Sequence, residues 1–471
     1  MHHTRRLTIV GTALATMALT FSSIGVVAQD ASPEASPAAA VGVPTVPTGY
    51  AELDQALGED QPFTGTRVTM QTQWIAGEGD NFSAALAGFE AATGIDVTVA
   101  EVPSGQHETL VNVSLNGGAA ADIIQLAQPA AILEYGAQGL LVDIGTMLDS
   151  SKLAETHPAT LPLYTGPGGE IWGQPYKVDV KSVVWYPINA FAEAGYAVPT
   201  TWDELIALSD QIVADGSSPW CVGMDAAAAT GWIATDMIED IMLRTAGVEA
   251  YNAWAALELP FSSPEVKNAF DLAGQIYFTP DYVLGGSTAI LATAQTDAMD
   301  PMFDGDLTTP SCWMQKQATW YGPDFFPDQK ATGSSQFVVG EDVGLFYFPP
   351  IDPALGNPAL GAGDAFMVTA DRPEVRAVLQ FLATPEGIQA WIDAGSAISA
   401  NQSTSAEWYA GNYKLEIASG IVADATSFGF DASDLMPASG AAFWAGVVDW
   451  ISNDGTNTDA VLQAIDDGMA Q

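Results

Sequence analysis

Lys177, Asp179 and Lys181 fall within five positions of a chain that carries 57 Asp and Glu but only 13 Lys and Arg, so two scarce cations so close together argue against chance placement. Such a trio can donate to hydroxyl groups while orienting the carboxylate between them, or form a salt bridge that serves structure alone. A second candidate is Asp364 in Gly361-Ala362-Gly363-Asp364-Ala365, where glycine lets the backbone approach a ligand closely. Glu78 between two glycines, and Gln125 and Gln128 at the end of a short apolar run, place an acid and two amides at strand ends. Trp74, Trp185, Trp232, Trp313 and Trp320 stand where strands should give way to loops, and Asp236 follows Trp232 by one helical turn. Carboxylates, amides, a few cations and indole rings together suit a polyhydroxylated ring, whose hydroxyls take paired hydrogen bonds and whose C–H faces pack on aromatics. The plainer alternative is that each tryptophan is core and Asp236 a solvated acid; Trp202 and Trp391, on helices, are expected to be core.

Other chemistries lack their residues. No Gly-x-Ser-x-Gly elbow, no phosphate loop ending Gly-Lys-Ser/Thr and no His-Glu-x-x-His helix occurs, and His107-Glu108 is followed by Val111 where a second zinc-binding histidine would stand. With four histidines, two of them at the extreme N-terminus, no histidine-clustered metal site is expected, and no cofactor motif is present. A formal charge of -44 repels phosphate and anionic lipid, which argues against nucleic acid and membrane surfaces as partners. So acidic a surface suits high salt or an acid medium. The enzymatic reading that remains is a secreted glycoside hydrolase, which needs two carboxylates and aromatic subsites; a pair such as Glu239-Asp240 arises by chance in a chain this acidic.

Arg5 and Arg6 precede an uncharged apolar stretch ending in Val26-Val27-Ala28, so residues 1–28 read as an export signal cleaved after Ala28, with an uncleaved anchor as the alternative. Residues 29–64, rich in Ala, Pro and Ser, read as a flexible spacer. Cys221 and Cys312 are the two cysteines, and an exported chain with two thiols pairs them as a rule; a catalytic thiol is the alternative. Beyond the spacer, strand and helix patterns alternate. Residues 67–72 predict a strand, Phe82, Leu86 and Phe89 one face of a helix stopped by Gly94, 95–102 a strand, 104–116 a helix stopped by Gly117-Gly118, 122–126 a strand and 130–138 a helix. That order means βαβ units on a parallel sheet and an α/β fold class. Further strands are predicted at 183–186 and 343–348, and helices at 201–214 and 373–382.

Gly169-Glu170-Ile171-Trp172-Gly173-Gln174-Pro175-Tyr176, then Val184-Trp185-Tyr186, then Phe191-Ala192-Glu193-Ala194-Gly195, then Pro199-Thr200-Thr201-Trp202-Asp203-Glu204-Leu205 resemble the central signature of extracellular sugar-binding proteins of ABC importers. Phe89-Glu90 with Thr93-Gly94-Ile95, and Thr384-Pro385-Glu386-Gly387 with Trp391, extend the likeness over most of residues 65–470. Lys177-Val178-Asp179-Val180-Lys181-Ser182, Asp281-Tyr282-Val283-Leu284-Gly285-Gly286 and Cys312-Trp313-Met314-Gln315-Lys316 are most similar to the α-glucoside-binding branch. The resemblance implies a periplasmic-binding-protein fold, in which residues 65–180 with 362–402 form one lobe and 181–361 with 403–471 the other. Crossing hinge segments would lie near 176–181 and 349–364, beside Trp185 and Asp364. It also implies an exported monomeric carrier, extracellular or periplasmic. By that likeness it closes on an α-glucoside or short oligosaccharide and hands it to the transmembrane permease subunits.

Overall fold

The computed structural model describes residues 42–470. Alternating apolar residues give β1 (Arg67–Thr72) and β2 (Asp96–Glu101), and a short, fully buried run gives β3 (Ile123–Leu126), each followed by a helix: Gly77–Thr93, Ser104–Gly117 and Pro129–Ala137. Gly94 and Gly118 end the first two helices in the left-handed conformation that glycine adopts without steric cost. β1 pairs in parallel with both β2 and β3, as the alternation of elements predicts. The remaining strands are β4 (Gln174–Val180), β5 (Val183–Pro187), β6 (Ser218–Trp220), β7 (Cys312–Lys316), β8 (Val343–Tyr347), β9 (Pro358–Val368), β10 (Ile398–Ser399) and β11 (Ser427–Phe430).

These strands form two sheets and hence two α/β lobes. The larger sheet has the order β10-β4-β9-β3-β1-β2 with β11 beside β9, and the smaller has the order β6-β7-β5-β8. The larger sheet is mixed: β9 runs antiparallel to β3 and β4. The turn between β4 and β5 carries the chain from one sheet to the other, and the segment between β8 and β9 carries it back. Each sheet buries both faces. Met70 and Phe366 lie in one apolar cluster of the larger lobe and Ile124 and Met367 in another, while Val184 and Trp185 fall in separate clusters of the smaller lobe. A disulfide joins Cys221, just past β6, to Cys312 at the start of β7.

The β4–β9 ladder positions the site. Its register sets Lys177 opposite Asp364 and Asp179 opposite Ala362. Gly363 is required there, because a Cβ would lie 2.8 Å from the Lys177 carbonyl oxygen. The flexible spacer expected through residue 64 is corrected over its later part. Residues Ala51–Leu57 form a helix, and Tyr50, Leu53 and Ala56 are buried against the core of the larger lobe. Spacing of three puts Leu53 and Ala56 on one helical face, Tyr50 precedes the helix, and the Leu53 N–H donates to Gln380 Oε1 at 2.9 Å. The export signal expected over residues 1–28 lies outside the described residues.

Candidate functional site

A cavity of about 310 Å³ is lined by residues of both lobes. Its floor is the β4–β9 ladder. The two-residue period of a strand turns Lys177 and Asp179 to the same side, and Lys181 continues the series just past the strand end. The buried Lys177 ammonium lies 3.1 Å from Glu78 Oε1, 3.3 Å from Asp179 Oδ2 and 3.6 Å from Asp364 Oδ2. Glu78 reaches it from the first turn of the helix after β1. Gln125 Nε2 donates to Asp364 Oδ1 at 2.7 Å, and Gln125 Oε1 accepts from the Gln73 backbone N–H at 2.8 Å. His107 fixes the strand behind them, its Nε2 lying 2.7 Å from the Gln125 carbonyl.

A second group surrounds Lys181. Its ammonium donates to Asp236 Oδ1 at 2.8 Å and to the Asp431 carboxylate, and it stands 5.4 Å from the Trp232 ring centre. Asp431 also caps the short helix Ala432–Leu435, accepting from the Asp434 N–H at 3.0 Å and from Ser433 Oγ at 2.8 Å. Gln128 of the larger lobe donates to Asp434 Oδ1 of the smaller lobe at 3.1 Å, a hydrogen bond between the two lobes. Asp236, Glu239 and Asp431 are near enough together to hold a cation, but Lys181 already bridges two of them, and Glu239 accepts from the Ala432 and Ser433 backbone N–H groups.

Burial and crowding set the proton affinities. Burial pushes the Glu78 carboxyl up to about 7, with Asp179 and Asp364 adding to the rise and Lys177 opposing it. Asp236 is likewise pushed up to about 7 by burial and by Asp431, against the pull of Lys181. Burial raises Asp364 while Lys177, Gln125 and Trp74 draw it back. Asp434 is held well above the carboxylate range by burial and by Asp431. Burial also works against Asp431, but Lys181 and the Ser433 and Asp434 donors hold it below its ordinary value. Both lysines bind their protons more tightly than usual, because the surrounding carboxylates outweigh the cost of burial.

The structure brings together most, not all, of the residues singled out from sequence. Glu78, Gln128, Lys177, Asp179, Lys181, Trp232, Trp320 and Asp364 line the cavity, as does Trp74, although Trp74 is 1% exposed and packs among Phe82, Tyr176, Phe366 and Trp391. Gln125 and Asp236 are not in the lining; they stand behind it, holding Asp364 and Lys181. Trp185 and Trp313 are corrected. Trp185 is fully buried in an inner strand of the smaller sheet and donates to the Gln317 carbonyl at 2.9 Å. Trp313 packs on Phe191 and Tyr196 and donates to Ser217 Oγ, away from the cavity. Residues 431–444 supply what the sequence reading missed: Asp431, Asp434 and Trp444 all line the cavity. Trp232 and Trp320, with ring centres 6.2 Å apart, and Phe325 beside Trp320 complete an aromatic wall.

Comparison with known proteins agrees with this arrangement. Over 413 residues the chain is 36% identical to the "Alpha-glucosides-binding periplasmic protein AglE" of Rhizobium meliloti, covering 85% of this chain and 87% of the relative. It is 33% identical to the "Osmoprotective compounds-binding protein GgtB" of Synechocystis, covering 83% and 90%. Among solved structures, the bacterial solute receptor AcbH, described as having an exclusive preference for β-D-galactopyranose, superposes with a TM-score of 0.72 at 20% identity, covering 86% of this chain and 98% of that one. Residues 75–389 match the bacterial extracellular solute-binding protein family. A two-lobed α/β chain with a cavity between its lobes, matched to that family over most of its length, belongs to the bacterial extracellular solute-binding proteins.

Proposed function

We propose that this protein captures a sugar, an α-glucoside or short oligosaccharide, in the cavity between its lobes and delivers it to the permease of an ABC importer. One observation carries the reading: a single cavity joins a lysine, carboxylate and amide floor to a wall of Trp232, Trp320, Trp444 and Phe325, the pairing that a pyranose needs. The α-glucoside assignment is supported by the relative from Rhizobium meliloti, and the volume falls at the small end of ligand pockets, as suits a ligand of few rings. In this reading Lys177, Asp179, Lys181, Gln128 and Asp364 bond hydroxyls, while Glu78 holds Lys177, Gln125 holds Asp364, and Asp236 and Asp431 hold Lys181. Residues 65–180 with 362–402, now joined by the segment from residue 42, form one lobe, and 181–361 with 403–471 the other. By the likeness to these carriers, the lobes would close about the crossings near 176–181 and 349–364.

The rival hydrolase would need a free acid and base flanking the scissile bond. Glu239 and Asp240, the adjacent pair, are instead spent on backbone N–H groups and on Arg244, Ser182 and Lys316. A thermal-shift and chromatography experiment with maltose, trehalose, sucrose and glucose tests the reading. A raised melting temperature with an α-glucoside that is recovered intact is expected, since a ligand at 100 times its Kd adds about 2.7 kcal/mol. A sugar recovered cleaved would replace the carrier by a hydrolase, and no shift with any sugar would remove the sugar assignment.

A further inference from the structure

The lining of the cavity is lopsided in charge. Among the described residues that line it, the cations are Lys177 and Lys181. Both charges are already paired with acids: Lys177 with Glu78, Asp179 and Asp364, and Lys181 with Asp431 and, behind it, Asp236. Asp434 accepts from the neutral amide of Gln128 and supplies no positive charge, and Glu108 and Asp225 add two more carboxyl groups to the lining. An entering carboxylate or phosphate would therefore meet a lining with more carboxyl groups than cations, each cation already paired with an acid.

The polar groups left unpartnered are neutral. Trp444 is 6% exposed, its indole N–H has no hydrogen-bond partner, and the buried Oε1 of Gln295 has none either. An indole N–H and an amide oxygen match the donor and acceptor sides of hydroxyl groups, and neither brings a positive charge to pair with an anion. An ammonium, by contrast, would find carboxylates and the faces of Trp232 and Trp320.

We infer that the cavity selects its sugar by charge: it takes a neutral sugar, or one with an ammonium in place of a hydroxyl, and rejects sugars that carry a carboxylate or phosphate. The inference rests on the sugar-binding reading above and adds the class of sugar to it. Calorimetry on the exported protein tests it with maltose, trehalose and sucrose, each beside a counterpart in which one primary hydroxyl is replaced by an ammonium and one in which it is oxidised to a carboxylate. For each neutral sugar that binds, the carboxylate counterpart is expected to bind at least about tenfold more weakly, and the ammonium counterpart about as well or better. Equal binding of the carboxylate, or equal losses for both replacements, would overturn selection by charge while leaving the sugar reading intact. A protein that bound none of the three neutral sugars would overturn the sugar reading, and this inference with it.

Discussion

Two tryptophans that look alike in sequence do opposite work. Trp185 lies in an inner strand of the smaller sheet, with no exposed surface, an edge contact to Tyr321 and a satisfied indole N–H. Trp232 begins a helix at the cavity, partly exposed, with Lys181 over its ring. Replacing Trp185 by Ala should therefore cost about 3–5 kcal/mol of folding stability, read as a lower urea midpoint, with sugar affinity kept by the molecules that remain folded. Trp232→Ala should weaken sugar binding by more than about tenfold with a small change in midpoint. Swapped phenotypes would mean that the cavity has been assigned to the wrong wall. The same contrast shows what the sequence can disclose. Lys177, Asp179 and Lys181 are legible because cations are scarce in this chain and these share one short segment, and Asp364 because glycines flank it. A tryptophan in a strand carries no mark of which face it takes or whether that face is covered, so sequence alone does not separate Trp185 and Trp313 from the tryptophans that line the cavity. Asp431, Asp434 and Trp444 reach the cavity by folding back from a segment far along the chain, and Asp431-Ala432-Ser433-Asp434 reads locally as a helix cap, which it also is.

At the scale of elements, the helix Ser104–Gly117 meets the other lobe at its first turn. A Cβ on Gly105 would lie 1.9 Å from the Ala226 carbonyl oxygen, and both residues line the cavity. No side chain fits there while the lobes keep this contact, yet the helix itself would accept one, since Gly105 has no left-handed backbone to preserve. Gly105→Val should thus leave the ligand-free melting temperature nearly unchanged while lowering sugar affinity about tenfold or more, because it penalises the closed arrangement alone. Small-angle scattering should show wild type contracting on adding sugar and the variant failing to do so. Wild-type affinity in the variant would show that this contact is dispensable for closure. Elements with strong local signals were legible: β1 and β2 by their apolar alternation, β3 as a short apolar run, and the helices between them by apolar spacing and terminal glycines. β6 and β10, at three and two residues, carry too little pattern to be seen alone and exist through pairing with β7 and β4. The helix Ala51–Leu57 hid in an Ala- and Pro-rich stretch whose composition suggested disorder, although its two buried residues, Leu53 and Ala56, share one face.

For the whole molecule, pH is the control to turn. Glu78 and Asp236 have folded pKa values near 7, well above their ordinary 4.5 and 3.8, because burial outweighs the nearby lysines. A carboxyl group raised in this way binds its proton more tightly folded than unfolded, so the stability it contributes is fully present below its unfolded pKa and is lost as pH rises through the folded one. Opposing groups act mostly outside that interval. Burial lowers His107 and His157 to about 4, so their contribution is lost as pH falls below about 6.5, and burial lowers Lys414 to about 8, which acts mainly above that pH. The expected outcome is a melting temperature several degrees higher at about pH 6.5 than at about pH 8, with Glu78 and Asp236 each worth about 1 kcal/mol over that interval. Salt separates this from the repulsion of a surface carrying a formal charge of -44. At about 1 M salt the Debye length falls to about 3 Å, so both melting temperatures should rise, while the difference between them, which belongs to buried groups, should persist. Glu78→Gln should flatten the dependence by roughly its own share, since the amide stands in for the protonated acid at every pH. A difference that vanished in salt would place the titrating carboxylates on the surface, and a melting temperature that fell between pH 8 and 6.5 would mean that the Lys177 and Lys181 clusters hold their acids ionised in the folded protein.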